Sequence, residues 1–454
     1  MKKLLALILA LAMCFSLVAC GGGEKKDEAG KPAASQGGAS TDKKDDAAKP
    51  GEPAPIKIGV IYPLSGGSAT AGASAMWSVN WAVDYINNEL GGIQSLGGAK
   101  IELVVGDHQG DAEVGLNEFE RMVNVENVNV LFGLYSTVVS NSLSQYCIAN
   151  KVPIQITNAV GNDAFSQPND YVFHANGATG VNSWAGIERS AWQEERITPR
   201  DKYAFVYDSA DYGRESYENS LKTMEANGIK EIVGIPIEAG SADFSSQILK
   251  LKQDPTIEWV VPSLLMNDAI LFCRQMKEYE VAIPIFANGG GFLQADFIEQ
   301  SGDAGDYVFS TSMWFPSMWK TAWDTELAKE IYDQYYEEMG WLYDESAACA
   351  WGGIWALWDA LERAGSYDRD DIAKAMAETN IKDEDHHMAT LMFQSKSITY
   401  EECECPDGST LYNQNPDAPV PWAMIKDGEY HVVWPEHLAE EGYWQWPIPT
   451  WDER

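Results

Sequence analysis

Two short segments of this 454-residue chain carry residue types that can hold a small anion. Ser136-Thr137 lies between a strand-like run, Val128–Phe132, and an apolar helical run that begins near Val138. A helix start offers unpaired N–H groups and the positive end of the peptide dipoles, so hydroxyl and backbone donors converge there on a carboxylate. The pair also suits plain N-capping, and both roles can hold at once. Asn158-Ala159-Val160-Gly161 takes the same position after the next strand-like run. Tyr212 combines an apolar ring with a polar tip, a residue type that closes over small molecules but also packs in cores. Tyr62, Ser65 and Ser68 offer hydroxyls at an early turn, and Trp314 in Ser312-Met313-Trp314-Phe315-Pro316 can line a cleft or fill the core.

Covalent chemistry finds little support. The chain has no Gly-x-Ser-x-Gly, and no Gly-x-Gly-x-x-Gly or P-loop follows a strand, so neither a catalytic residue nor a cofactor is expected. His386-His387 lies among acids at Asp383-Glu384-Asp385, a composition that can chelate metal. Adjacent histidines on a charged loop are more often solvated, and no metal is expected there. Cys403-Glu404-Cys405 can pair, chelate or have no special role, while Cys147, Cys273 and Cys349 read as small buried hydrophobes.

The elements that must position these residues alternate from residue 56 onward. Ile56–Tyr62, Ile101–Val105, Val128–Phe132 and Val152–Ile156 read as strands, and Gly72–Leu90, Val114–Val125 and Val138–Ala149 as helices. Strands apolar along most of their length predict a parallel sheet covered on both faces. After Tyr171–His174 a second block repeats the rhythm. Its strands fall at Tyr203–Tyr207, Ile232–Ile237, Glu258–Val261 and Ile283–Phe286, with helices near Gly213–Asn227, Phe244–Gln253 and Asn267–Tyr279. Trp323–Met339, Glu345–Ala364 and Asp370–Glu378 are helical with few strands between them, so they pad sheets already built and the chain crosses back between lobes. Near the end, apolar runs flank Asp427-Gly428, a hairpin signal. The expected fold class is α/β: two doubly wound, Rossmann-like lobes joined by a hinge. Lobe 1 is expected from 56–176 with about 312–388, and lobe 2 from 177–311 with about 389–454.

The first 19 residues read as a signal peptide: Met1-Lys2-Lys3, then an apolar run from Leu4 to Val18 that is short for a membrane span. It ends at Leu17-Val18-Ala19-Cys20-Gly21, which resembles the lipobox of bacterial lipoproteins. In those proteins the cysteine becomes the first mature residue and carries diacylglycerol, so Cys20 is the expected lipidation site. Residues 20–55 are Gly, Ala, Lys, Asp, Ser and Pro with hardly any large apolar side chain, a composition expected to stay disordered. Such a linker would reach on the order of 30 Å as a coil. The folded part is thus expected outside the cell, anchored by lipid to the outer face of the cytoplasmic membrane. A formal charge of −36 argues against nucleic acid and against direct adsorption on anionic lipid.

Motifs in a fixed order strengthen this reading. They are Ile58-Gly59-Val60-Ile61-Tyr62-Pro63-Leu64-Ser65-Gly66, Ala82-Val83-Asp84-Tyr85-Ile86-Asn87 with Gly91-Gly92-Ile93, Ile101–Asp107, Phe132-Gly133-Leu134-Tyr135-Ser136-Thr137, Val152-Pro153-Ile154 with Asn158-Ala159, and Asp211-Tyr212-Gly213. Together they resemble the type I periplasmic-binding-protein superfamily, within it the leucine/isoleucine/valine-type receptors of branched-chain amino acid importers. The resemblance implies an extracytoplasmic solute-binding lipoprotein, monomeric, that serves the permease and ATPase subunits of an ABC transporter. It also implies that Ser136, Thr137, Ala159 and Val160 hold a ligand carboxylate, that Tyr212 closes from the second lobe, and that Tyr62 and Ser65 lie nearby. Amino-acid-binding members place an acidic side chain of the second lobe beside the ligand ammonium. Here Ala287-Asn288-Gly289-Gly290-Gly291 follows the corresponding strand without a carboxylate. Asn288 and Gly289 are expected to offer backbone instead, with Asp268, or Asp208 and Asp211, as substitutes. The ligand class therefore spans amino acids, amides and small carboxylates. A sensor subunit feeding a membrane signalling protein is the alternative, and a lipid-anchored enzyme a further one.

Overall fold

The computed structural model describes residues 53–175, 201–223, 229–293, 297–405, 408–434 and 438–454. The expected signal peptide, Cys20 and nearly all of the linker lie outside the described residues.

The chain opens with β1 (Ile56–Tyr62), α1 (Ala69–Asn88), β2 (Ile101–Asp107), α2 (Ala112–Asn124), β3 (Val130–Gly133), α3 (Thr137–Asn150), β4 (Ile154–Ile156) and β5 (Val172–His174). From residue 202 a second series runs β6 (Lys202–Asp208), α4 (Asp211–Thr223), β7 (Glu231–Ile237), α5 (Ser245–Gln253), β8 (Trp259–Ser263) and α6 (Met266–Glu278). It continues through β9 (Phe286–Ala287), α7 (Phe297–Ser301) and β10 (Phe309–Thr311). Then come α8 (Thr325–Met339), α9 (Glu345–Ala364), α10 (Arg369–Ala377), β11 (Asn380–Lys382), α11 (Met388–Phe393) and β12 (Ser397–Thr399). The last strands are β13 (Glu401–Glu404), β14 (Thr410–Gln414), β15 (Trp422–Lys426) and β16 (Glu429–Trp434).

These strands form two main sheets. The first has the order β13-β14-β5-β4-β3-β1-β2, with β1 to β5 parallel. In the second, β7-β6-β8 is parallel, and a bridge from Val260 to Ile285 links β8 to the strand group β9-β10-β15-β16. Successive parallel strands with helical crossovers are what the alternating, mostly apolar segments predict. The expected hairpin is present as β15 and β16, with Asp427 at φ 55° and Gly428 at φ 79°, the paired positive values of a tight two-residue turn.

The tail departs from expectation in one respect. Strands β13 and β14 attach to the first sheet beside β5, through Gln414 opposite His174, although everything after about residue 389 was expected in the second lobe. Glu-Glu-Cys-Glu in β13 is mostly exposed at a sheet edge, so it lacks the apolar run that marks a buried strand. The expected strand at Ile283–Phe286 contracts to β9 and the single bridge at Ile285.

Helix α9 fixes the first lobe. It is apolar nearly all round, with Trp351 and Trp355 fully buried, as a helix covered on several sides must be. Gly353 lets it lie flush on the sheet: a Cβ there would come within 2.9 Å of Thr157 and 3.1 Å of Phe132. Its first turn is tied down by a buried network. Trp341 Nε1 donates to Tyr335 Oη at 2.7 Å, and Tyr335 Oη meets Ser74 Oγ, also at 2.7 Å. Ser74 then donates to Asp344 Oδ2 at 2.8 Å, while Asp344 Oδ1 caps the helix at the Ala347 N–H. Helices α1, α8 and α9 are therefore tied to one another by buried hydrogen bonds. Trp355→Ala should lower unfolding free energy by about 3–5 kcal/mol in urea titration, whereas Val125→Ala, at 64% exposure, should stay within about 0.5 kcal/mol.

Candidate ligand-binding cleft

A cleft of about 200 Å³ lies where the two sheets face each other. Its first wall comes from the first sheet, at the point where β3 hands over to α3. Gly133 at φ 120° and Leu134 at φ 69° swing the chain out of the strand, and any Cβ on Gly133 would strike the Ile61 carbonyl at 2.6 Å. That turn delivers Tyr135, Ser136 and Thr137 to the cleft. Ser136 is the N-cap residue of α3, yet its side chain makes no capping bond, so its hydroxyl is available beside the first helical N–H groups. Asn158 and Val160, after β4, continue this wall.

The opposite wall follows β6 and β9. Tyr212, in the first turn of α4, donates from its hydroxyl to the Asn288 carbonyl. The glycines after Asn288 accept this ring at close range: a Cβ on Gly290 would meet Tyr212 Oη at 2.8 Å. Asp208 ends β6 fully buried, with Oδ1 accepting the Ala210 N–H at 2.9 Å. Leu265 and Leu293 add apolar surface. The floor is built by two chain crossings, Thr311–Met313 and Val420, held side by side because the Ser312 N–H and the Thr311 hydroxyl both donate to the Pro421 carbonyl at 3.2 Å. Glu345, at the start of α9, accepts the Met313 N–H at 3.3 Å.

The sequence of residues 55–396 matches the family model described as periplasmic binding protein. The chain belongs to the periplasmic binding protein family. Members of this family are extracytoplasmic solute-binding proteins of transporters rather than enzymes. Among curated relatives, the Leu/Ile/Val-binding protein homolog 7 of Brucella abortus is 25% identical over 403 residues, covering 85% of this chain and 93% of that protein. A leucine-binding protein from Thermotoga maritima superposes with a TM-score of 0.66 at 20% identity, covering 83% of this chain and 97% of its own. An R. palustris solute-binding protein solved with benzoate gives a TM-score of 0.64 at 17% identity, covering 84% and 95%. These likenesses establish the type I periplasmic-binding-protein fold of two doubly wound lobes.

Within this family member, six of the nine expected ligand residues border one cleft: Ser136, Thr137, Val160, Tyr212, Asn288 and Gly289. Three do not. Tyr62 is buried in the first sheet, its hydroxyl bonded to Thr157 Oγ1 at 2.7 Å. Ser65 is exposed and donates to Asp107 Oδ2 at 2.6 Å, bracing the first loop. Ala159 is fully buried in the core between two residues that do reach the cleft. Trp314 packs edge-on against Tyr343 at 4.9 Å instead of lining the cleft. Asp268 binds the Gly240 N–H, so of the acidic substitutes only Asp208 and Asp211 reach the site.

Glu345, His108 and Tyr135 were not foreseen. Glu345 follows the N-cap Asp344 and reads as ordinary first-turn acidity; only the fold aims it at the floor. The suspected metal motif has structural duties instead: His387 Nδ1 caps α11 at the Ala389 N–H, and His386 stacks on Trp323 at 5.1 Å. Cys403 and Cys405 are buried free thiols.

The two walls also touch directly. Asn141 Nδ2 of α3 donates to Glu215 Oε1 of α4 at 2.7 Å. Burial pushes the Glu215 carboxyl up to about 7, with Asp163 and Asp211 adding to the rise and Asn141 and Arg214 opposing it. The folded state therefore holds a proton that the unfolded chain releases from about pH 4.5, so this residue's contribution to stability falls as pH climbs from about 4.5 to 7. Glu215→Gln should melt with wild type near pH 4.5 and above it at pH 8. A melting difference that stays constant over that range would exclude this origin.

Proposed function

We propose that this protein captures a small amino-acid-like solute between its lobes, closes over it by hinge rotation, and presents the closed form to the permease and ATPase subunits of an ABC importer. No bond of the ligand is made or broken. The observation that carries this reading is the placement of spare donors at the start of α3 across one cleft from Tyr212 and Asp208. A carboxylate at Ser136 and Thr137 would meet hydroxyls, unpaired N–H groups and the favourable end of the helix dipole. Closure over the ligand is population shift: a ligand that touches both walls favours the closed form by whatever it binds that form more tightly. The names of the relatives, Leu/Ile/Val-binding and leucine-binding, support an amino-acid-like ligand.

In this scheme lobe 1 comprises residues 56–175 with about 313–415, and lobe 2 residues 201–311 with about 421–454, the crossings forming the hinge. The protein acts as a monomer held on the outer face of the cytoplasmic membrane by lipid on Cys20. Cys20→Ala should shift the protein from the membrane pellet to the soluble fraction, whereas unchanged pelleting would remove the anchor from the proposal.

The binding reading is tested by thermal shift over the standard amino acids, their amides and small aromatic acids, since a ligand stabilises the fold it binds. Ser136→Ala with Thr137→Ala should weaken the best hit at least about tenfold, each hydrogen bond to a charged group being worth about 1.5–3 kcal/mol. Equal affinity in the double variant would place the ligand elsewhere.

A further inference from the structure

The lobes touch through a pair of side chains that do not border the cleft, Asn141 of α3 and Glu215 of α4. Asn141 Nδ2 donates to Glu215 Oε1 at 2.7 Å, and Glu215 is only 5% exposed. This contact uses half of what each group offers. Asn141 Oδ1 and Glu215 Oε2 are both buried without a hydrogen bond among the described residues. Both are acceptors, so neither can satisfy the other while the carboxyl is ionised. They also turn to the same spot: a Cβ on Gly161 would come within 2.6 Å of Asn141 Oδ1 and 3.1 Å of Glu215 Oε2. The glycine keeps that space clear.

The charges nearby do not fill the gap. Arg214 lies 3.6 Å from Oε1, the oxygen that Asn141 already serves, and it also bridges Asp211 and Glu218, each at 3.1 Å. Helix α3 has no acidic or basic side chain, and β8, which packs on α4, has none either. The ends of β6 and β7 bring Asp208 and an ion pair, Lys202 with Glu231. The acids that act on Glu215 are Asp163, in the turn after β4, and Asp211, one helical turn back; both oppose its ionisation. A proton on Oε2 resolves the mismatch. It supplies the donor that Asn141 Oδ1 lacks and removes a buried charge.

We propose that Asn141 and Glu215 are a proton-operated latch between the lobes, shut as a two-bond acid–amide pair when Glu215 is protonated and released when it ionises. Glu215 is thereby a positioning residue for closure and does not touch the solute. The latch presupposes the hinge closure proposed above. Opening the lobes returns the carboxyl to water and to its ordinary value, whereas burial in the closed form, helped by Asp163 and Asp211, raises it to about 7. Closure therefore takes up a proton. Its advantage is full below about pH 4.5 and is lost as pH climbs to about 7, so acidity favours the shut form and alkalinity favours release. The closed-to-open ratio should fall on the order of tenfold between pH 6 and 8.

Small-angle X-ray scattering of the folded chain without solute tests this. Wild type should be more compact at pH 6 than at pH 8. Glu215→Gln should be compact at both, because its amide donates to Asn141 Oδ1 and accepts from Asn141 Nδ2 at any pH. Asn141→Ala should lose the pH step. A purely structural role for Glu215 would leave no step to lose and no rescue by glutamine. Each of the standard amino acids is then added at pH 8 as the probe of closure. A wild-type radius that ignores pH but contracts with an amino acid overturns the latch and leaves solute capture standing. A pH step of wild-type size in either variant overturns it as well. If neither pH nor any amino acid changes the radius, hinge closure falls and the latch falls with it.

Discussion

Strand direction is the constraint on which the site depends. Strands β1 to β5 all run one way, and so do β6 to β8, so in each sheet the helix starts gather along the edge where the strands end. A helix start is the place in a fold where backbone N–H groups are surplus, and a strand end is where the loop is free to carry side chains. Facing two such edges toward each other puts the donors of α3 opposite Asp208 and Tyr212, with the positive-φ turn at Gly133 and Leu134 setting the last step. An antiparallel sheet of the same residues would scatter these ends over both edges.

The surroundings of the cleft are fixed by core packing. Helix α9 is held by two fully buried tryptophans and by the chain of hydrogen bonds from Trp341 through Tyr335 and Ser74 to Asp344. Glu345 is the residue after that anchor, so its position is set by core packing and not by its own solvation. The two crossings of the floor are stitched at Pro421. A rigid body on each side and a narrow tied floor are the mechanical requirements of hinge motion.

Three carboxyls around the interface, Asp208, Glu215 and Glu345, are held above their ordinary range by burial. Each costs stability at neutral pH, and a core built for stability alone would contain apolar residues there. Glu215 answers to Asn141 across the cleft, and the other two border the cleft itself. Buried groups that cost stability and sit where a fold opens are the expected signature of a binding surface.

The alternation of apolar runs determined by itself that there are two parallel α/β units, because a strand covered on both faces must be apolar throughout and a crossover helix must be periodic. The same local logic placed Ser136, Thr137 and Tyr212, since strand–turn–helix junctions are visible in residue type and spacing. Side-chain direction was not determined in this way: Tyr62, Ser65 and Ala159 lie beside true cleft residues but turn to Thr157, to Asp107 and into the core. Nor were the edge strands β13 and β14: β14 pairs with β5, more than two hundred residues earlier, and β13, which pairs only with β14 among the described residues, carries no buried run. Among the acidic groups of the site, Asp208 and Asp211 were legible as candidates, whereas Glu345 was decided only by tertiary structure: it resembles ordinary helix-start acidity, and only the docking of α9 on the first sheet brings it to the cleft.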